Sequence, residues 1–245
     1  VEEVNVLELL KSKPVVIHIP KLTSLMNAGI YDNKHNIIVI WGELGLGKST
    51  LALQLLHWHY HDWDTCFKHV KFTFQEMRDA IKQAILQNKR IKAVIWDDLA
   101  VYFHRAAIQY MHPEVRSFFS KYNFIRPYLG NLIITVPNID FIPRPLLDFA
   151  TADIYVTKRG KADFDRAKLI RSFRSRHKSW TKNYDGDDVE WIELPKEIYK
   201  RYEQIRHQHA LDSILNPDDM FVMAMPHTPS PSYIYESKEA QSIED

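Results

Sequence analysis

The chain has 245 residues, 45% of them hydrophobic, with 32 Lys and Arg against 31 Asp and Glu and a net charge of +1. That composition suits one large core with appendages, and the lone Cys66 excludes a disulfide-built scaffold and fits a reducing compartment. No apolar run approaches the roughly 20 residues of a membrane helix, and Val1-Glu2-Glu3-Val4 opens without the basic and apolar regions of a secretion signal; no membrane association and a cytoplasmic location, of an organism or of a virus's host cell, are expected.

Residues 1–35 hold an apolar stretch from Val4 to Leu10 and the run Val15-Val16-Ile17-His18-Ile19. They are expected to form an extension, a small helix and an outer strand, packing on the core. A continuous apolar run follows at 37–41, which predicts a strand buried on both faces. Three of the seven glycines then fall within Gly42-Glu43-Leu44-Gly45-Leu46-Gly47, and Lys48-Ser49-Thr50 follow. This is the G-x-x-x-x-G-K-[ST] pattern. Glycines let the backbone curl until successive N–H groups converge on a polyphosphate. Lys48 would reach the β- and γ-phosphates, and the Ser49 hydroxyl would ligate Mg²⁺. Residues 49–60 lack any helix breaker and carry Leu51, Leu55 and Leu56, so they predict a helix whose N-terminal dipole adds to anion binding. ATP or GTP is the expected ligand, with Gly42 to Thr50 as its cradle.

Beyond that helix, His57, His59, His61, Cys66 and His69 invite a zinc reading. They lack both paired cysteines and a Glu in H-E-x-x-H form, so the rings read as padding between the helix and a short strand at 68–72. Thr73-Phe74-Gln75-Glu76 has the form of a capping box. Met77, Ala80, Ile81, Ala84 and Ile85 behind it recur at helical spacing to about Asn88. A third strand at 91–96 runs into Asp97-Asp98. A carboxylate at a strand's C-terminal end can hold Mg²⁺ beside the phosphates, which is the role assigned to Asp97. The next can polarise the attacking water, the role assigned to Asp98. The competing reading is an ordinary strand-ending turn. Further strands are expected at 132–136, ending in Pro137-Asn138, and at 152–156.

Charge is unevenly spread. Between Lys158 and Lys182 ten Lys and Arg face only Asp163 and Asp165, whereas from Leu211 to Asp245 seven acids face Lys238 alone. The basic stretch predicts a hairpin, residues 166–194, turning at Asn183-Tyr184-Asp185-Gly186-Asp187. Either it is a solvated face, or Arg171, Arg174, Arg176 and Lys178 contact phosphates while Trp180 stacks on bases. Leu194-Pro195 opens a closing helix, residues 195–211, with Ile198, Tyr202, Ile205 and His209 as its buried stripe. Residues 36–211 thus form the main domain, and residues 212–245 an acidic flexible tail.

With these residues in hand, the chain resembles additional-strand P-loop ATPases, and within them the DnaA/DnaC-like branch of the AAA+ ATPases. The likeness rests on Gly-Glu-Leu-Gly-Leu-Gly-Lys-Ser-Thr at 42–50, Val-Ile-Trp-Asp-Asp-Leu at 94–99 and Thr-Val-Pro-Asn at 135–138. It looks similar to the compact ATPases of crenarchaeal viruses and plasmids. The expected fold is α/β, a five-stranded, mainly parallel sheet flanked by helices, plus a C-terminal hairpin and helix. The large helical lid usual in AAA+ ATPases is not expected, a departure from the family pattern, because few residues follow the last strands. The resemblance implies that Asn138, or Thr135 in its place, senses the γ-phosphate. It also implies homo-oligomers with ATP at subunit interfaces, where Arg144 is the first choice for an arginine finger, with Arg126 and Arg159 as competitors. The expected function is a Mg²⁺-dependent ATPase acting on DNA in the replication or maintenance of a mobile element. Alternatives are a DNA-packaging or translocating ATPase, an ATP-switched protein adaptor with little DNA binding, and a small-molecule kinase.

Overall fold

The structure, a computed structural model, describes residues 20–99, 113–159, 164–175 and 178–215. Helix α1 (Pro20–Tyr31) leads into strand β1 (Asn36–Trp41). Ile37 and Val39 point into one core and Ile38 and Ile40 into the other, all fully buried. A strand alternates faces at every residue, so an apolar run on both faces is what a central parallel strand requires. Helix α2 (Lys48–Tyr60), the short helix α3 (Trp63–Lys68), strand β2 (Val70–Lys71), helix α4 (Phe74–Leu86) and strand β3 (Ile91–Trp96) follow. Helices α5 (Pro113–Ser120) and α6 (Tyr122–Ile125) precede strand β4 (Leu129–Val136). Helix α7 (Arg144–Leu147), strand β5 (Ala150–Arg159), the antiparallel strands β6 (Phe164–Ser175) and β7 (Lys178–Ile192), and helix α8 (Lys196–Leu215) complete the order.

The sheet runs β2-β3-β4-β1-β5-β6-β7. Its first five strands are parallel, as expected, and β6 and β7 extend it antiparallel beyond β5. β4, not the early strand β2, separates β1 from β3. One face is covered by α1, α2, α3 and α8, through Leu22, Met26, Leu51, Leu55, Phe67, Ile198 and Tyr202. The other carries α4 to α7, through Phe74, Met77, Ile81, Phe119, Tyr122 and Leu146. Among the described residues, only the hairpin and α8 follow β5, and no helix is long and apolar enough to cross a membrane.

Several elements depart from the sequence expectations. A strand at 68–72 shrinks to two residues because α3 intervenes: the Asp62 carboxylate caps it from Thr65 N–H at 2.8 Å, and Trp63, Cys66 and Phe67 are buried. The histidines beside it pack as rings, His57 on Trp63 at 4.0 Å and His69 on Tyr60 at 4.5 Å. The hairpin does not turn at 183–187. β7 continues through that segment and pairs with β6 out to Ser175 opposite Lys178. Between the Lys168–Asp188 and Ile170–Asn183 pairs the ladder shifts register, so the expected turn is absorbed as a bulge. α8 extends to Leu215, so the first residues of the proposed tail are helical. α1 was not anticipated. The expected elements before residue 20 and the tail beyond residue 215 lie outside the described residues, as does Arg176.

Candidate nucleotide site

The glycine loop joins β1 to α2 at the C-terminal edge of the parallel strands. Gly42, Gly45 and Gly47 hold φ of 143°, 79° and 87°, a region that side-chain-bearing residues rarely enter. Gly42 has a second reason: a Cβ there would meet the Val156 carbonyl oxygen of β5 at 2.6 Å. Glu43, Leu44 and Gly45 are exposed at the loop's crest, Leu46 packs partly on the core, and Thr50 is half-buried in the first turn of α2. The Lys48 side chain folds back, donating to the carbonyls of Gly42 at 2.9 Å and Glu43 at 2.8 Å. Burial lowers the Lys48 pKa, against the opposing pull of Asp98 and Asp97.

Asp97 and Asp98 meet this loop from the end of β3. Asp97 is only 1% exposed. Its Oδ1 accepts from Ser49 Oγ at 2.9 Å and from Thr135 Oγ1, and its Oδ2 accepts from the Tyr202 hydroxyl. Burial raises its pKa; the three hydroxyls pull it down, and the neighbouring Asp98 pushes it up. Asp98 adopts φ 50° and donates its N–H to Thr135 Oγ1 at 2.9 Å. One threonine hydroxyl therefore pins both acids. The Asp98 carboxylate accepts from Arg206 Nη2 at 2.7 Å. Burial opposes the charge on Arg206, but Asp98, Tyr202 and Asp97 together raise its pKa.

This donor set fits a hard divalent cation. Among the described residues, every hydrogen-bond partner of the buried Asp97 carboxylate is a neutral hydroxyl, and Ser49 supplies a second oxygen at the helix N-terminus. Mg²⁺ takes few protein ligands, all oxygen. Ser49 and Asp97 are the residues that would hold it.

Other expected residues lie elsewhere. Asn138 is exposed, and its Oδ1 accepts the Asp140 N–H at 3.0 Å, capping the turn Ile139–Phe141. Thr135, its stated substitute, is the β4 residue that touches the acid pair. Arg144 opens α7, Arg126 opens an exposed turn, and Arg159 ends β5. Arg171 pairs in register with Lys182, Arg174 with Ser179, Lys178 with Ser175, and Trp180 with Phe173, on the hairpin two strands away from β1. Sequence reasoning placed Tyr202 on the packing stripe of the closing helix and gave neither it nor Arg206 a place at the site. Their one signal is the i, i+4 spacing, which puts both on one helix face.

The sheet order, the glycine loop and the acid pair define the α/β fold of P-loop NTPases. No family model matches the chain. An uncharacterized protein of Acidianus two-tailed virus, ORF286, is 27% identical over 104 residues, covering 42% of this chain and 36% of that protein; the match spans about a third of the relative. Among solved structures the chain is similar to the N-terminal domain of zonular occludens toxin from Neisseria meningitidis, at 14% identity over 68% of this chain and 97% of that one, TM-score 0.39. It is also similar to the genome packaging NTPase B204 from Sulfolobus turreted icosahedral virus 2, at 16% identity over 51% and 76%, TM-score 0.32. Domain III of the replication initiation protein DnaA from Thermotoga maritima gives 16% identity over 55% and 60%, TM-score 0.32. Likenesses this distant carry no functional argument, which rests on the site itself.

Proposed function

We propose that the chain is a Mg²⁺-dependent ATPase of the DnaA/DnaC-like AAA+ kind, coupling ATP binding and hydrolysis to DNA handling for a mobile genetic element. The observation that carries this reading is the 2.9 Å contact between Ser49 Oγ and Asp97 Oδ1. It joins the first turn of the loop helix to a buried strand-end carboxylate, as a nucleotide-bound metal needs. Bound Mg²⁺ would neutralise phosphate charge during phosphoryl transfer. The chain's own residues do the rest: loop N–H groups and Lys48 grip the phosphates, and Asp98 orients and polarises the attacking water. Thr135 fixes both acids, and Asn138 completes the γ-phosphate side once its cap on Asp140 is exchanged. Arg144 serves a neighbouring subunit's site.

α8 supplies the coupling. Its Tyr202 and Arg206 hold Asp97 and Asp98, and only residues 193–195 separate it from β7. A change in charge at the acid pair on binding or losing the γ-phosphate is felt by Arg206 and passed to the hairpin, where Arg171, Arg174, Arg176, Lys178 and Trp180 would engage DNA.

The test is phosphate release with and without single- and double-stranded DNA over a salt series. Stimulation by DNA that weakens with salt is expected. Lys48→Ala should abolish nucleotide binding or turnover. Asp98→Asn should retain ATP and lose at least a hundredfold in turnover, the scale of a positioned general base. Undiminished turnover in Asp98→Asn would remove that residue from the mechanism. Slow hydrolysis indifferent to DNA would favour a protein adaptor.

A further inference from the structure

At the β2 edge of the sheet a cleft of about 550 Å³ opens between the end of α2, α3, α4 and the start of β3. Five cations line it: Lys68, Lys71, Lys89, Arg90 and Lys92, and no carboxylate does. Among the described residues no acid stands within ion-pair distance of any of the four lysines. In a chain whose net charge is +1, this is a concentrated positive field, offset at its rim, where Lys68, after the hydrogen bonds from Thr65, is one of the groups that lower the Asp62 pKa.

The neighbouring histidines register that field. His59 is pushed down to about 4, first by burial and then by Lys92, and its Nε2 is buried without a hydrogen-bond partner. His69 is lowered by burial and by Lys71 and Lys68, against its bond to the Thr65 carbonyl. Both rings are therefore neutral near pH 7, and the Tyr60–His69 stack gives the cleft an aromatic wall.

The kind of cation decides what such a cleft can recognise. A site built for one compact phosphate grips it with convergent N–H groups or a bidentate guanidinium. Here the Arg90 fork is already committed, to Asn33 Oδ1 at 2.9 Å, to the Lys34 carbonyl and to the Leu129 carbonyl at 3.1 Å. The remaining donors are ammonium point charges delivered by two stretches of chain, 68–71 and 89–92. They read charge density along a chain rather than the shape of one group. The cleft also lies at the opposite sheet edge from the hairpin: six strand spacings, about 29 Å, separate β2 from β7.

We propose that this cleft is a sequence-independent binding site for the phosphodiester backbone of nucleic acid, separate from both the glycine loop and the hairpin.

Fluorescence anisotropy with a labelled single-stranded oligonucleotide and its duplex, in the absence of nucleotide and over a salt series, tests it. The variant Lys68→Glu/Lys71→Glu/Lys92→Glu is compared with wild type and with a charge-matched control, Lys82→Glu/Lys196→Glu/Lys200→Glu, at exposed positions outside the cleft. The cleft variant should bind roughly tenfold or more weakly at low salt, with a log–log salt slope shallower by about 2 to 3, one phosphate contact per lysine. The control should retain most of the wild-type affinity. If thermal melting shows the Glu variant unfolded, the corresponding Gln triple carries the same comparison with a smaller expected loss. Equal losses in cleft variant and control would reduce the effect to net charge and overturn the proposal. So would binding that disappears only in Arg171→Glu/Arg174→Glu, which would leave the hairpin as the sole contact. A wild-type chain that binds no oligonucleotide overturns it as well. Calorimetric binding of tripolyphosphate that the cleft variant loses, alongside unchanged oligonucleotide affinity, would reassign the cleft to small polyanions.

Discussion

A single hydroxyl organises the candidate site. Thr135 donates to Asp97 and accepts from the Asp98 N–H, so one side chain ties the Asp97 carboxylate to the left-handed backbone turn at Asp98. Tyr202 completes the shell of Asp97 from the far end of the chain. Removing only its oxygen, in Tyr202→Phe, keeps the ring in its buried place but frees Asp97 Oδ2. That variant is expected to need several-fold more Mg²⁺ for half-maximal binding of a fluorescent ATP analogue. A melting temperature that drops with no change in Mg²⁺ dependence would make Tyr202 a packing residue only. Of these residues the glycine loop, Lys48, Ser49 and the acid pair were legible in sequence, because their spacing is local. The Tyr202 and Arg206 contacts span 105 and 108 positions, and no local pattern encodes them. Asn138 was read in sequence as a γ-phosphate sensor; in the structure its side chain caps the turn at Asp140 instead.

Elements whose signals are local formed where the residues place them. The capping box at α4 is complete: Thr73 Oγ1 accepts from Glu76 N–H at 3.1 Å, and Glu76 Oε2 accepts from Thr73 N–H at 3.1 Å and Phe72 N–H at 2.8 Å. Thr73→Ala should cost about 1 kcal/mol, read as a lower denaturation midpoint with an unchanged slope. Elements whose fate depends on partners moved. β2 kept two residues because α3 buries Trp63, Cys66 and Phe67 just before it. At β7 the long ladder with β6 overrode the Asn-Tyr-Asp-Gly turn, leaving a register shift where a reversal was expected. α8 looked like a helix with a modest stripe; its cross-chain partners, Arg201 on Asp64 and over Phe67 and His209 against Phe72, set its seat.

For the whole molecule, acid is the condition the fold should resist least. His35, His57, His59 and His69 are all lowered, with burial the largest cause in each, so the folded state prefers them neutral. Their stabilising share is complete above the ordinary histidine value of about 6.5 and is lost as pH falls through the folded values, about 4 for His59. Asp97, raised by burial, acts in the opposite sense. Thermal melts should therefore fall between pH 7 and 5; a flat profile would contradict the buried neutral rings. By itself the sequence determined the parallel sheet, the phosphate loop and the strand-end acids, because period-two burial, glycine freedom and a strand's direction act over a few residues. Only the tertiary structure decided that β4 separates β1 from β3, that α8 closes over the acids, and that five cations from two separate stretches, 68–71 and 89–92, gather at the β2 edge. Those arrangements depend on which surfaces meet after the chain has crossed the sheet, and such meetings leave no periodic trace in the residues that make them.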